Sequence, residues 1–205
     1  VKKPSSLLEH LTQSVRDFRE YERIAGFSQI ARRALANNSF DGVLTMVGGV
    51  TGQYLAGVES PATVIQIGVA TSIAIGISGL SGAYLAESAE RRRELAELER
   101  ISLTDLGDTK IGRASRTAVV VVSLVDGLSP LISSLIVLVP FFLARLIGNI
   151  IVSYVLSLVI GLIALFGLGL FLGHISGRSL IGYGLRTTVA GILAIALNFL
   201  LDKWQ

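Results

Sequence analysis

The chain has 205 residues, of which 51% are apolar and only 16% charged, with 18 Lys/Arg, 15 Asp/Glu and no cysteine. Soluble domains carry nearer a quarter charged residues, and the mean hydropathy of +0.66 argues for a membrane protein. The missing cysteine excludes a disulfide framework, a thiolate metal site and a catalytic thiol.

Residues 5–37 are expected to form a cytoplasmic amphipathic helix, opened by Ser6 and Glu9 as a capping box. Leu7, Leu11, Val15 and Phe18 repeat at helical spacing, with Arg16, Arg19, Glu20 and Arg23 mostly off that stripe. This segment is too charged to span a bilayer, and should lie on its surface or pack on another cytoplasmic helix. It also lacks the apolar core of a signal peptide, so none is expected.

Five apolar runs follow, at about 36–57, 62–86, 117–142, 148–174 and 184–201. Each can cover roughly 30 Å of hydrocarbon. The second is expected to continue into a charged helix over 87–100, and 105–116 reads as a linker. The fold expected is therefore all-α: a polytopic membrane bundle of five transmembrane helices over 38–205, with cytoplasmic amphipathic helices at 1–37 and within an insertion at 87–116.

Lys and Arg are segregated along the chain, with seven before residue 38, seven within 87–116, Arg178 and Arg186 after the fourth run, and only Arg145 and Lys203 on the other side. The positive-inside rule then expects a cytoplasmic N-terminus and an external C-terminus, and the absent signal and short loops favour a prokaryotic plasma membrane. Topology thus accounts for the basic pI near 9.4, and no nucleic-acid partner is needed.

Asp41 and Asp126 are the sharpest candidates for chemistry, because an aspartate within a span costs on the order of 2.5–3.5 kcal/mol on insertion scales. Pro130 leaves the Asp126 carbonyl without its usual donor, so that carbonyl, the carboxylate and Ser129 offer hard oxygen ligands. Asp41 has Thr45 one turn on and Met46 beside it, and a thioether favours a transition metal. The plain structural alternative has Asp126 paired with Arg186 and Asp41 capping the first span. Glu87, Glu90, Glu94 and Glu97 fall on one helix face; a solvated stripe paired with N-terminal arginines explains their spacing without a metal.

Phe40-Asp41-Gly42 is echoed by Val125-Asp126-Gly127 at an offset of 85 residues, and Glu87 by His174 at 87, which suggests a two-helix repeat. Small residues spaced by four, such as Gly68, Ser72 and Gly76, allow close helix approach. Gly76-Ile77-Ser78-Gly79 and Gly79-Leu80-Ser81-Gly82 match the short pattern of intramembrane serine hydrolases, but such matches arise easily in a Gly/Ser-rich helix.

With five spans, a charged helix after the second, Asp41-Gly42-Val43-Leu44-Thr45, and the run Ala74 to Ala86, the chain resembles the vacuolar iron transporter family of Fe2+/Mn2+ carriers. The resemblance implies a homodimer that moves Fe2+ or Mn2+ out of the cytosol in exchange for protons, with no prosthetic group and no enzyme activity. It implies that Asp41 lines the path and that Glu90, Glu94 and Glu97 capture metal in the cytoplasm; Asp41 is the one pore residue that carries over directly, and Glu87, Asp126 or Met46 would have to substitute for the others. The positions of the family's second-helix Met and Glu hold Gly79 and Ala83 here. Arg186 and His174 remain as a possible gate or ion pair. The competing expectations are a non-transporting scaffold with structural carboxylates and, less favoured, the serine hydrolase.

Overall fold

A computed structural model describes the backbone of residues 7–204 and the side chains of residues 13–204. Helices α1 (Leu7–Ala25), α2 (Phe27–Leu55), α3 (Pro61–Ser102), α4 (Lys110–Phe142), α5 (Ala144–Ile147), α6 (Ile150–Ile175) and α7 (Leu180–Asp202) follow in order.

The single amphipathic helix expected over 5–37 is two helices. Gly26 takes a left-handed conformation (φ 60°) that ends α1 and redirects the chain. The Ser28 hydroxyl donates to the Glu22 carboxylate at 2.6 Å across this joint. Residues 27–37 therefore belong to the same rod as the first apolar run, and the boundary expected at residue 37 lies inside α2. Ser6 of the expected capping box, and the side chains of Leu7, Glu9 and Leu11, lie outside the described residues. α1 packs on the first half of α4, where the Phe27 ring meets Phe18 edge-on at 5.2 Å and joins Ala118 and Val122. Lys110 donates to Glu20 at 2.6 Å, and this contact and charge hold the ammonium above its ordinary pKa.

α3 is one unbroken rod of 42 residues, as the sequence suggested for its apolar and charged parts. The expected linker at 105–116 is shorter, because Thr109 caps α4 and the helix begins at Lys110. α4 runs on through Pro130 and Pro140.

Among the described residues, four helices are long and apolar enough to cross a membrane: α3, α4 with its continuation α5, α6 and α7. α2 has the length, at 29 residues, but Asn37, Asn38, Asp41 and Gln53 lower its apolarity. It nevertheless packs against α4, α6, α7 and α3. Val43, Met46, Val47 and Val50 from α2 meet Val64, Val137, Leu138, Tyr154 and Leu165 in the main core.

Small residues and hydroxyls set the helix spacing. Gly68 and Gly76 of α3 lie against Leu138 and Leu131 of α4, with no room for a Cβ. Gly42 of α2 lies against the backbone of Pro130. The Ser134 hydroxyl reaches Ser72 at 2.8 Å, Ser133 reaches the Ser39 carbonyl at 3.0 Å, and Ser157 reaches the Val137 carbonyl at 2.6 Å. In a bilayer such bonds contribute about 0.6 kcal/mol each, with packing supplying the rest.

Candidate functional site

Asp126 and Asp41 occupy different clefts on either side of α2. Asp126 lies in a cleft of about 300 Å³ between α2, α3 and α4, with Asn38, Glu87, Arg33 and Asn37 among its walls. Asp41 lines a cleft of about 350 Å³ with Asn37, Phe40, Leu172 and Thr187, from α2, α6 and α7. Asn37 borders both.

Local packing fixes each carboxylate. Gly127 meets the backbone of α3 at Gly76 and Leu80, where an added Cβ would stand 2.6 Å from the Leu80 Cβ. Asp126, one residue earlier, sits on the flank of that crossing and turns toward α2. There the Asn38 side-chain amide donates to its Oδ1 at 2.8 Å. Gly42 makes the corresponding close contact between α2 and α4, and Asp41 beside it is exposed.

The carbonyl freed by Pro130 does not join an oxygen cluster. A Cβ on Gly79 would come within 2.8 Å of the Asp126 carbonyl oxygen, so the α3 backbone covers it. Ser129 is also turned elsewhere: its hydroxyl donates to the Val125 carbonyl, and the residue lines an apolar cleft between α2, α4 and α6.

Arg186 does not pair with Asp126. Its guanidinium lies 5.6 Å from the Tyr183 ring centroid, while Asn38 takes the place expected for it at Asp126. His174 is exposed near the end of α6. Ser78 and Ser81 are exposed on α3, which forms no packed pair with the helix bearing His174.

Met46 is 1% exposed and belongs to the main core, so its sulfur does not accompany Asp41. Thr45 does, being exposed one turn along α2. The helical period explains the split: positions 41 and 45 share a face, and 46 begins the next.

Glu87 is the acid that the fold brings to Asp126. It is 16% exposed and accepts from Arg91 Nε at 2.8 Å. Arg91 also reaches Glu94 at 3.1 Å, so the stripe is partly neutralised from its own helix and not by arginines of α1. Glu90 and Glu97 are exposed. Among the described residues no three His, Asp or Glu side chains converge as a metal shell.

Asn38 is the site residue that sequence reasoning missed. Its signal was present: Asn37-Asn38 inside a helix that has to pack on four others needs partners for its amides.

The offset of 85 residues that relates Asp41 to Asp126 also relates Glu87 to Leu172. Each aspartate thus has a neighbour at the equivalent place, acidic in one cleft and apolar in the other.

No family model matches the chain. Uncharacterized protein MJ0645 of Methanocaldococcus jannaschii is 33% identical over 175 residues, which cover 83% of this chain and 88% of that protein. The similarity therefore extends over nearly the whole helical bundle, and the chain belongs to the same family as that archaeal protein.

Proposed function

We propose that the protein is a divalent-cation transporter that moves Fe2+ or Mn2+ out of the cytosol in exchange for protons, with Asp41 and Asp126 as its intramembrane ligands. The observation that carries this reading is the polar cleft at Asp126, where Glu87 and Asn38 stand with the carboxylate inside an otherwise apolar bundle. Carboxylate and amide oxygens are hard ligands suited to such ions. Carboxylates that bind a cation on one side of a membrane release it when protonated on the other, which is the basis of exchange.

α2 serves in this reading as a fifth span. A helix that packs on four others need not be apolar all round, because a polar residue such as Asn38 can face protein. The N-terminus and the 87–116 segment are then cytoplasmic and the C-terminus external, in a prokaryotic plasma membrane. Glu90, Glu94 and Glu97 would gather cations on the cytoplasmic side.

Asn37, Asp41, Thr45 and Gly49 form an exposed stripe along α2. Lipid against that stripe is costly. A second copy of the chain would cover it and add ligands to a site that one chain leaves incomplete, which makes the working unit a homodimer. The hydrogen bond from Asn38 favours one competing reading, a scaffold in which Asp126 is structural.

Mn2+ uptake into proteoliposomes under a proton gradient separates the two. Loss of one charge-assisted contact, about 1.5–3 kcal/mol, lowers uptake by about tenfold to a hundredfold in Asp41→Asn and in Asp126→Asn. Unchanged flux in both variants, with Asp126→Asn lowering only the melting temperature, would establish the scaffold instead.

A further inference from the structure

A third cleft, of about 470 Å³, lies between α3 and α4 at the charged end of the bundle. Its walls combine Tyr84, Val119 and Val120 with Arg91, Arg92 and Arg116. We propose that this cleft is a binding site for an anionic phospholipid, with the headgroup phosphodiester held by the arginines and an acyl chain along the apolar wall. The inference rests on the apolar helices being in a bilayer and is independent of metal transport.

Depth is the first argument. α3 changes from an apolar to a charged helix between Ala86 and Glu87, and α4 makes the reverse change between Arg116 and Thr117. The cleft straddles both transitions, because Tyr84 and Val119 lie on the apolar side of them and Arg91 and Arg116 on the charged side. That is the level at which phosphates meet hydrocarbon.

Charge is the second. Arg91 is held in place by Glu87 and Glu94. Arg116 donates from Nη2 to the Gly107 carbonyl at 2.9 Å, which anchors the guanidinium while leaving other N–H groups. Among the described residues no carboxylate lies within 4 Å of Arg92 or Arg116. Gly112, in the first turn of α4, also borders the cleft. The positive end of that helix dipole adds to the preference for an anion.

The occupant follows from the two together. A soluble acidic segment would satisfy the arginines and leave Val119 and Val120 facing water. A zwitterionic lipid would satisfy the valines and bring a phosphate, but its headgroup ammonium would stand beside Arg92 and Arg116, where no carboxylate lies within 4 Å. An anionic phosphodiester carrying acyl chains does both, and basic pockets between membrane helices recognise such headgroups.

The test uses the full chain in phosphatidylcholine nanodiscs with and without phosphatidylglycerol, read by thermal unfolding and by lipid retained in native mass spectrometry. Phosphatidylglycerol is expected to raise the unfolding midpoint by about 2–4 °C and to co-purify with the protein. The variant Arg92→Gln/Arg116→Gln should lose both effects. Arg92→Gln alone, a milder change, should retain less lipid even if the double variant folds poorly. Arg93→Gln/Arg100→Gln removes the same charge from α3 outside the cleft and should behave as wild type. The proposal fails if the cleft variants respond like wild type, or if the Arg93/Arg100 pair loses the response equally. It also fails if inorganic phosphate in phosphatidylcholine nanodiscs reproduces the stabilisation.

Discussion

The clefts of Asp126 and Asp41 begin from the same dipeptide, Asp-Gly, in the middle of α4 and of α2, yet they end in different states. Gly127 lets α3 close against α4, and Asp126 is left facing Asn38, which binds it. Gly42 lets α4 close against α2, and Asp41 is left on an open face with Thr45 and Asn37. One carboxylate has its partner within the chain; the other has to take one from outside it, whether a cation, water or another protein surface. The glycine determines how near the helices come, and the neighbouring helix determines what the acid meets.

Replacing the two glycines is the strongest way to break this comparison. Gly42→Val and Gly127→Val each drive side-chain atoms into a facing backbone, and overpacking costs about 1–3 kcal/mol where neighbours can yield. With backbone opposite, both variants are expected at or beyond the upper end, as lost folding or a sharply lower melting temperature in detergent. Gly82→Val, exposed on α3 with no atom within 4 Å of its added Cβ, should melt like wild type apart from helix propensity.

A smaller effect sharpens it. Asn38→Leu removes the donor to Asp126 and leaves a part-buried acceptor unpaired, at a cost of about 1–3 kcal/mol. Asn37→Leu, next to it but exposed, should stay within about 0.5 kcal/mol. Equal losses from the two, measured by thermal or denaturant unfolding, would show that Asp126 is no better satisfied than Asp41.

Thr45→Trp tests the open face. It should leave the melting temperature of one chain unchanged and shift sedimentation of detergent-solubilised protein from two copies to one. The smallest effect belongs to α1: Glu20→Gln should raise hydrogen exchange in α1 at low ionic strength, and this difference should fade in high salt because the pair is exposed.

Much of the fold is legible in the sequence because long apolar runs and charge segregation are properties of whole segments. The break between the first two apolar runs, the continuous α3 and the short connection from α4 to α6 all follow from them. The Gly26 joint is harder to read, since Ala25-Gly26-Phe27 interrupts neither the charge pattern nor the apolar spacing. For the site, the sequence identifies polar residues in apolar helices, which is why Asp41 and Asp126 stand out. It does not tell on which side of a helix crossing each falls. Met46 is adjacent to Thr45 in sequence and faces the core; Glu87 is distant from Asp126 and shares its cleft. Arg186 has the charge to partner Asp126, but Asn38 is on the helix that lies next to it.

The unbroken course of α3 has a mechanical consequence. At 1.5 Å per residue its 42 residues extend about 60 Å, roughly twice the hydrocarbon thickness. Gly79, where α3 bears on the Asp126 carbonyl, would be the fulcrum of a tilt between α3 and α4, and the arm from there to Ser102 is about 35 Å long. A tilt of about 5° at the fulcrum would swing the far end by about 3 Å. Glu99 ties that end to the loop through the Leu106 amide at 2.9 Å, so the swing would be passed to the start of α4. Anything that tilts the outer arm would thus pull on the backbone beside the half-buried acid.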